Sequence, residues 1–420
     1  MRGKPSTRHD LLSPRDAYIG ILLLGAVSLM GDVVYEGSRG LVPDYLRFLG
    51  ATAFIVGLIG GLGEFMGYAV RLASGYLADT TRAYWLLIFI GYGLIASIPL
   101  LGVAATWETA IILILLERLG KALRSSPRDT LLSIISRDVG AGKAFGIHEF
   151  LDQTGAVAGP LIVTALMYYN GNSYQETFAS LSMPFLMLLV ALAYTHRRIG
   201  SKAVAGSEGA GGDAGKPKPP GKPFYIYTSA VTLNTVGLIP AALILYKASI
   251  ILQPGQRWMV PMIYLLIQGM DAPAALLSGY AYDRFGVKFL TLPFMFSMLP
   301  SFLALAGAGL PSLIVASILF GVVLGMQESI YRAAVSDYTP VSSRGTAYGI
   351  FNTAYGIGFL ISGLIYGLLI DLKASPAAAL PFIISTQISA VIALLGTLRR
   401  QGEARSAAAR QPSQAEDEDR

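Results

Sequence analysis

The sequence predicts an all-α membrane protein with twelve transmembrane helices in two pseudo-symmetric six-helix bundles. Three observations predict this fold class: the composition, the recurrence of long apolar segments, and an internal repeat. Hydrophobic residues make up 53% of the 420 residues and charged residues only 14%. A soluble chain would carry roughly 25% charged residues, so this chain has too little polar surface to cover a globule.

Apolar segments of about 20 residues follow one another along the chain, and each is long enough to cross a bilayer as a helix. Gly and Pro are frequent inside them, as is common in membrane helices. The alternating pattern of an outer-membrane barrel strand is not seen. In chain order, the predicted spans are 17–44, 52–77, 84–105, 107–126, 143–168, 175–196, 223–250, 258–281, 287–308, 311–338, 345–371 and 376–398.

The distribution of basic residues predicts the orientation of these spans. Lys and Arg concentrate in the two termini and in the even-numbered connections, whereas the other connections hold only Arg47, Lys247, Arg257 and Lys373. By the positive-inside rule, both termini are predicted to lie in the cytoplasm, with the protein in the cell membrane. The net charge of +6 is therefore read as a topology signal, and no nucleic-acid partner is expected.

The domain boundaries follow from the same pattern and from one long polar break, SKAVAGSEGAGGDAGKPKPPGK, which is typical of a flexible linker. The predicted parts are a cytoplasmic N-terminus (1–16), an N-terminal bundle (17–198), the linker (199–222), a C-terminal bundle (223–400) and a disordered tail (401–420).

The two predicted bundles repeat each other in sequence. SGYLAD begins at Ser74 and SGYAYD begins at Ser278, an offset of 204 residues. AFGI at 144–147 matches AYGI at 347–350, and Arg128 and Arg332 are again 204 apart. Such internal repeats are typical of transporters, whose binding site lies near the bilayer midplane between the halves.

These residues resemble the major facilitator superfamily over essentially the whole chain. GYLADTTR (75–82) is similar to the family's G-x-L-x-D-R-x-G-R-K loop with a reduced basic cluster, and GYAYDRFGVK (279–288) is a closer second copy. GAVAGP (155–160) resembles the G-x-x-x-G-P motif of the family's antiporters, without its trailing Gly-Gly. The resemblance implies alternating access between two bundles, with Asp79 and Asp283 as gating acids.

The segment ERLGKALRSSPRD (117–129) resembles a D-R-x-G-K-G-x-R-x-x-P-R-D pattern in one bacterial and archaeal group of the family, with Glu117 for the first Asp and Ala122 for the second Gly. The spacing of its charged residues supports a prediction that does not depend on the resemblance. Glu117, Lys121, Arg124 and Arg128 fall on one helical face, with Glu117 and Lys121 forming an i, i+4 pair. A central charge facing lipid costs about 2.5–3.5 kcal/mol or more, so this stripe is expected to face a cavity or a partner helix.

Other spans repeat this theme, and the charges divide into two predicted groups. Candidates for binding the substrate or a proton are Asp32, Glu36, Glu64, Glu149, Asp152, Asn234, Gln268 and Asp271. Candidates for a gate or a structural charge network are Arg71, Asp79, Glu117, Arg118, Lys121, Arg124, Arg128, Asp129, Asp283, Arg284, Glu328 and Arg332. A carboxylate removed from water can hold a proton near neutral pH, as a proton-coupled carrier requires. The alternative is that Asp32 and Glu36 are bridged to Arg39 or Arg71.

Several functions are disfavoured by the sequence. There is no Cys, no GK[ST] phosphate loop and no convincing nucleophile–base arrangement, so no enzyme, no metal and no cofactor is expected. His148 is expected to be hydrogen-bonded, and the glycines of GLIGGLG (57–63) to serve close helix packing.

The predicted function is secondary active transport of a small-molecule substrate through the lipid bilayer, coupled to protons, by a monomer. Export of a drug or metabolite is favoured over an uptake permease for a sugar or organic acid, because of the motif at 155–160. A non-transporting membrane sensor or scaffold is the alternative of another class.

Overall fold

A computed structural model describes residues 14–136, 139–205, 220–340 and 343–410, and every regular element in these ranges is helical. The α-helices are α1 (Pro14–Phe48), α2 (Ala53–Thr81), α3 (Tyr84–Gly93), α4 (Ser97–Leu100), α5 (Trp107–Ile135), α6 (Ala141–Tyr169), α7 (Tyr174–Ser180), α8 (Ser182–Ala205), α9 (Lys222–Val236), α10 (Ala241–Ile251), α11 (Met259–Phe285), α12 (Thr291–Phe296), α13 (Met298–Ala306), α14 (Gly309–Met326), α15 (Arg332–Tyr338), α16 (Arg344–Asp371) and α17 (Pro376–Arg410). Short turns of tighter helix connect several of them, and a π-helical turn (Gln327–Tyr331) joins α14 to α15. The all-α prediction is confirmed.

Ten helical stretches of the described residues are long and apolar enough to cross a membrane. One of them, Pro254–Ala306, is 53 residues long and contains α11 to α13, which is enough chain for two crossings. The helix α5 is not among the ten, although it is 29 residues long, because it carries the dense charges of residues 117–129. The chain is a multi-pass membrane protein, and the count of twelve crossings and the pseudo-symmetry stay predictions.

The seventh predicted span is broken into α9 and α10. The break spans Gly237 to Pro240, and Pro240, which has no N–H to donate, immediately precedes α10. The freed backbone groups have partners: the Gly237 carbonyl accepts from the hydroxyls of Ser301 (3.0 Å) and Tyr366 (2.5 Å). Irregular backbone at membrane depth is tolerated where neighbouring helices supply such bonds.

The N-terminal half (residues 14–205) packs on the C-terminal half (residues 220–410) through α2 on α16 and through α1 and α6 on α11. On α2 the approach is backbone to backbone, since a Cβ added at Gly57 would lie 2.1 Å from the Gly363 carbonyl oxygen and one at Gly61 2.7 Å from that of Phe359. The predicted close packing of the glycines in GLIGGLG is thus confirmed for Gly57 and Gly61.

The first residues of two segments that were predicted to be irregular, the linker and the tail, are helical. The helix α8 continues to Ala205, into the predicted linker, and residues 206–219 lie outside the described residues. The helix α17 continues to Arg410, into the predicted tail, which stays a prediction beyond that residue. The sequence EARSAAAR is rich in strong helix formers, which explains the continuation. Residues 1–13 and 411–420 also lie outside the described part of the chain.

Candidate substrate cavity

A cavity of about 420 Å³ lies between the two halves of the described chain. Its walls come from α1, α2, α4, α5 and α6 on one side and from α10, α11, α14, the π-helical turn, α15 and α16 on the other. Cavities of roughly 300–1,000 Å³ are the usual size of small-molecule sites. The cavity is therefore large enough for a small solute and is shared by both halves.

Most of the charged residues singled out in the sequence line this cavity. From the group predicted to bind a substrate or proton they are Asp32, Glu36, Glu64, Glu149, Asp152, Gln268 and Asp271. From the predicted gate and charge network they are Arg71, Glu117, Arg118, Lys121, Arg124, Arg128, Asp129, Glu328 and Arg332. Since isolated charges are costly in lipid, their position in a polar cavity is what membrane energetics requires.

Four predicted residues do not line it. Asp79 lies near the end of α2 and accepts a hydrogen bond from the Tyr84 hydroxyl (3.1 Å). Asp283 and Arg284 are exposed near the end of α11, where Arg284 lies over the ring of Phe285. These places fit the loop position that the resemblance gives to gating residues.

The fourth, Asn234, is fully buried within the C-terminal half. Its amide nitrogen donates to Gln387 (2.7 Å), and its amide oxygen accepts from Ser297, Gln327 and Tyr331 (3.1, 3.2 and 2.8 Å). An amide oxygen that already accepts three hydrogen bonds from the protein is not available to bind a ligand. The structure therefore gives Asn234 a packing role and leaves it away from a solute in the cavity.

Glu36 is the most highly bonded acid in the cavity. One carboxylate oxygen lies 2.6 Å from Arg39 and 3.3 Å from Lys121, and the other accepts from the Tyr264 hydroxyl at 2.7 Å. Tyr264 belongs to the C-terminal half, so this acid bonds both halves. The i, i+4 pairing of Lys121 with Glu117 predicted from spacing is not formed, because Lys121 reaches across to α1 instead.

The remaining bases of α5 also have defined partners. Arg118 lies 2.8 Å from Glu64 and 3.7 Å from Glu117. Arg128 pairs with Asp129 (2.9 Å) and Asp152 (3.6 Å).

A short chain of hydrogen bonds leads from Arg128 into the interior of the N-terminal half. Arg128 donates to the Ser28 hydroxyl at 2.9 Å, and Ser28 also bonds the Tyr92 hydroxyl and His148 Nε2, each at 3.1 Å. His148 is thus hydrogen-bonded, as predicted.

Arg124 is held by aromatic rings. The guanidinium carbon is 5.1 Å from the ring centre of Tyr35 and 4.7 Å from that of Tyr92, and Lys121 lies 4.4 Å above Tyr35. Arg124 is 2% exposed. Within the described residues it has no carboxylate partner, so these cation–π contacts are its main charge stabilisation.

Sequence reasoning missed Tyr35 and Tyr264. Tyr264, Gln268 and Asp271 are spaced by four and three residues, so Tyr264 shares the face of two residues that were selected. Helical spacing could therefore have found it. Tyr35, between Asp32 and Glu36, had no comparable signal because aromatic residues are ordinary in membrane helices.

Bonds between the halves seal one end of the cavity, which we call the closed end and define by Asp44, Arg47, Arg257 and Asp371. Asp44 lies 2.8 Å from Arg257 and accepts from the Tyr174 hydroxyl at 2.6 Å. Asp371 accepts from the backbone N–H groups of Ala53 (2.9 Å) and Phe54 (2.8 Å), at the start of α2. Arg47 donates to the Ser249 carbonyl at 3.0 Å.

The other end of the cavity is accessible. Glu149 and Glu328 are exposed although they line it, and the Asp129 side chain is 44% exposed. By contrast, Asp32 and Glu36 are only 3% and 5% exposed. Accessibility thus rises from Glu36 towards Glu149 and Glu328, and the cavity is reached from the end opposite the closed end.

Comparison with known families and curated proteins gives several matches. The model of the Major Facilitator Superfamily matches residues 224–417. The uncharacterized protein Rv2265 of Mycobacterium tuberculosis is 33% identical over 362 residues, which cover 84% of this chain and 87% of that protein. The uncharacterized MFS-type transporter MJ1317 of Methanocaldococcus jannaschii is 27% identical over 370 residues, 84% of this chain and 89% of that protein.

Solved structures show the same fold. The nucleoside transporter NupG superposes with a TM-score of 0.70 at 14% identity, covering 90% of this chain and 99% of that chain. The peptide transporter POT superposes with a TM-score of 0.67 at 14% identity, covering 91% and 94%. At this identity the likeness concerns the fold alone.

Proposed function

The chain belongs to the major facilitator superfamily, and from this premise we propose that it is a secondary active transporter that moves a small solute across the cell membrane by alternating access. The observation that carries the proposal is the charged cavity between the halves, sealed at one end and accessible at the other. In the proposed arrangement, two pseudo-symmetric bundles of six crossings (17–198 and 223–400) rock about this cavity.

With both termini in the cytoplasm, the closed end faces outside and the accessible end faces the cytoplasm. Coupling to protons is supported by the buried acids Asp32, Glu36 and Asp271 and by the half-buried Asp152, which line the cavity. Export is favoured over uptake by the motif at Gly155–Pro160.

The test exploits the absence of cysteine from the whole sequence. Ala156 lines the cavity and is 7% exposed, and Ala156→Cys adds only a thiol. A membrane-impermeant maleimide is applied to right-side-out and to inside-out vesicles. A carrier that alternates is labelled from both sides of the membrane, faster from the cytoplasmic side. Labelling from one side only contradicts alternating access and favours a sensor or scaffold.

Proton coupling and direction are tested in proteoliposomes that contain a pH-sensitive dye. A panel of drugs, sugars and organic acids is added outside, and the internal pH is followed for the wild type and Glu36→Gln. Solute exchange against protons appears as a pH change opposite in sign to that of symport, which separates export by antiport from uptake. A pH change that is the same without protein contradicts coupling.

A further inference from the structure

Two arginines of the cavity lining come from opposite halves of the chain. Arg71 belongs to α2 and Arg332 begins α15, and both line the cavity. Tyr68, one turn before Arg71 on α2, also lines the cavity. The Tyr68 ring packs against that of Tyr355 on α16, with ring centres 5.6 Å apart. The two arginines therefore belong to the lining of the same cavity.

Neither of these arginines has an acidic partner. In the described ranges no carboxylate oxygen lies within 4.0 Å of either guanidinium group. Arg71 makes one long hydrogen bond, to the Ser125 hydroxyl at 3.4 Å, and its Nε is buried without a partner. Glu328, one turn before Arg332, and Asp129 are nearby acids, and both stay beyond that distance.

The other bases of the cavity are neutralised. A carboxylate lies 2.6–3.3 Å from Arg39, Arg118, Lys121 and Arg128. Arg124 lies between two tyrosine rings. Among the bases that line the cavity in the described residues, Arg71 and Arg332 are thus distinguished by having neither a carboxylate within 4.0 Å nor the two-ring contact of Arg124.

Such an arrangement is costly for the empty protein. Like charges repel in a partly dehydrated site, and a buried donor without a partner loses its bond to water. An anion with two or more oxygens placed between them would accept from both guanidinium groups and cancel the repulsion. Arginine suits this task because its planar fork matches carboxylate and phosphate oxygens.

We propose that Arg71 and Arg332 together bind a compact anionic group, a phosphate or a carboxylate, on the transported solute. The proposal rests on the proposed function, since it names the solute class of that same cavity. Because each half supplies one arginine, binding of the anion would draw α2 and α15 together. The anion would therefore favour one arrangement of the halves over another, as a transported solute must.

The experiment measures thermal unfolding of the purified full-length protein in detergent. Sodium phosphate, sodium succinate and sodium chloride are titrated at equal pH and ionic strength. Phosphate or succinate should raise the Tm above the chloride series, and the two arms separate phosphate from carboxylate recognition. Arg71→Gln and Arg332→Gln should each weaken the apparent affinity about tenfold or more, because each removes a charged hydrogen-bond donor.

The matched control is Arg197→Gln, which removes an exposed arginine of α8 and should leave the anion response unchanged. Without anion, the Arg71→Gln and Arg332→Gln proteins should unfold no earlier than the wild type, because like-charge repulsion is relieved. An early unfolding would instead indicate a structural role. Equal stabilisation by all three salts, or an unchanged response in both variants, overturns the proposal.

The failure of this proposal is distinguishable from failure of the transporter function. Labelling of Ala156→Cys from both sides, without any specific anion effect, leaves alternating access standing and removes the anion site. A specific anion effect with labelling from one side only keeps the site and removes the transport cycle.

Discussion

At the scale of single residues, Glu36 has the most partners in the cavity. It is the shared partner of Arg39 and Lys121, and its side chain is 7% exposed. Glu36→Gln keeps an acceptor for Tyr264 but leaves both cations without their carboxylate. Removing one partner of a buried ion pair lowers the free energy of unfolding by about 3–5 kcal/mol, so the Tm in thermal unfolding should fall clearly.

The control for this prediction is Glu108→Gln, the same change at an exposed acid in the first turn of α5. Its Tm should stay close to that of the wild type. If Glu36→Gln were equally well tolerated, water in the cavity would be stabilising the cations and the ion pairs would contribute little.

Arg124 gives a prediction about geometry at constant charge. Its guanidinium carbon lies over the rings of both Tyr35 and Tyr92, at 5.1 and 4.7 Å from their centres, and a guanidinium group can stack on aromatic rings whereas a lysine ammonium cannot. Arg124→Lys should therefore lower the free energy of unfolding by about 1–2 kcal/mol, measured by denaturation in detergent. Arg197→Lys, at an exposed site on α8, should change it little. Equal losses in both proteins would show that stacking on the rings is not what holds Arg124.

The charged residues of the cavity were predictable from sequence, and their pairing was not. Charges inside apolar spans are costly unless they face a polar space, and this rule selected Glu36, Lys121 and Arg128. The partner of each depends on how the helices are rotated and how they pack. Lys121 pairs with Glu36, which lies 85 residues away in the chain, and not with Glu117 on its own helix.

At the scale of helices, the contact of α2 with α16 depends on the absence of side chains. A methyl group at Gly57 would lie 2.1 Å from the Gly363 carbonyl oxygen, so Gly57→Ala must push the two helices apart. Overpacking of this kind costs about 1–3 kcal/mol, and the Tm should fall.

Gly67→Ala is the matched control on the same helix. Nothing lies within 4 Å of a Cβ at Gly67, so alanine should be tolerated or should raise the Tm through its helix propensity. If both changes had the same effect, close approach at Gly57 would not be important for stability.

The limits of sequence reasoning at this scale are visible in two helices. The fourth predicted span ends at 126, whereas α5 continues to Ile135, because Pro127, Arg128 and Asp129 interrupt the hydropathy signal before the helix ends. The seventh was predicted as one span, yet it breaks at Gly237–Pro240. The glycine and proline were visible, but the groups that satisfy the broken backbone, such as Ser301 and Tyr366, lie on distant helices.

At the scale of the whole molecule, composition and repeated apolar segments were sufficient to predict an all-α membrane fold. They could not predict which end of the cavity is sealed, because that depends on contacts between residues far apart in the chain. Asp44 and Arg257 are 213 residues apart, and Arg257 lies in a connection where only its charge sign had been considered.

The closed end gives the prediction that concerns the entire molecule. The Asp44 side chain is fully buried and is held by Arg257 and Tyr174, so Asp44→Asn leaves the guanidinium of Arg257 without its counter-charge. In the proposed transport cycle the halves separate at this end, which would hydrate Arg257 and remove the cost. The substitution therefore penalises only the sealed state and should shift the population towards opening on that side.

The shift is measured by labelling Ala156→Cys with an impermeant maleimide added from outside. Each 1.4 kcal/mol of differential destabilisation changes the population ratio by about tenfold, so Asp44→Asn should raise the labelling rate by about that factor or more. The control on the same background is Arg198→Gln, which breaks a pair with Asp16 inside the N-terminal half and should leave the rate unchanged. Asp44→Asn could lower the Tm and yet leave the labelling rate of the thiol at 156 unchanged. In that case the Asp44–Arg257 bridge stabilises the sealed and the opened state equally, and the closed end is not a gate.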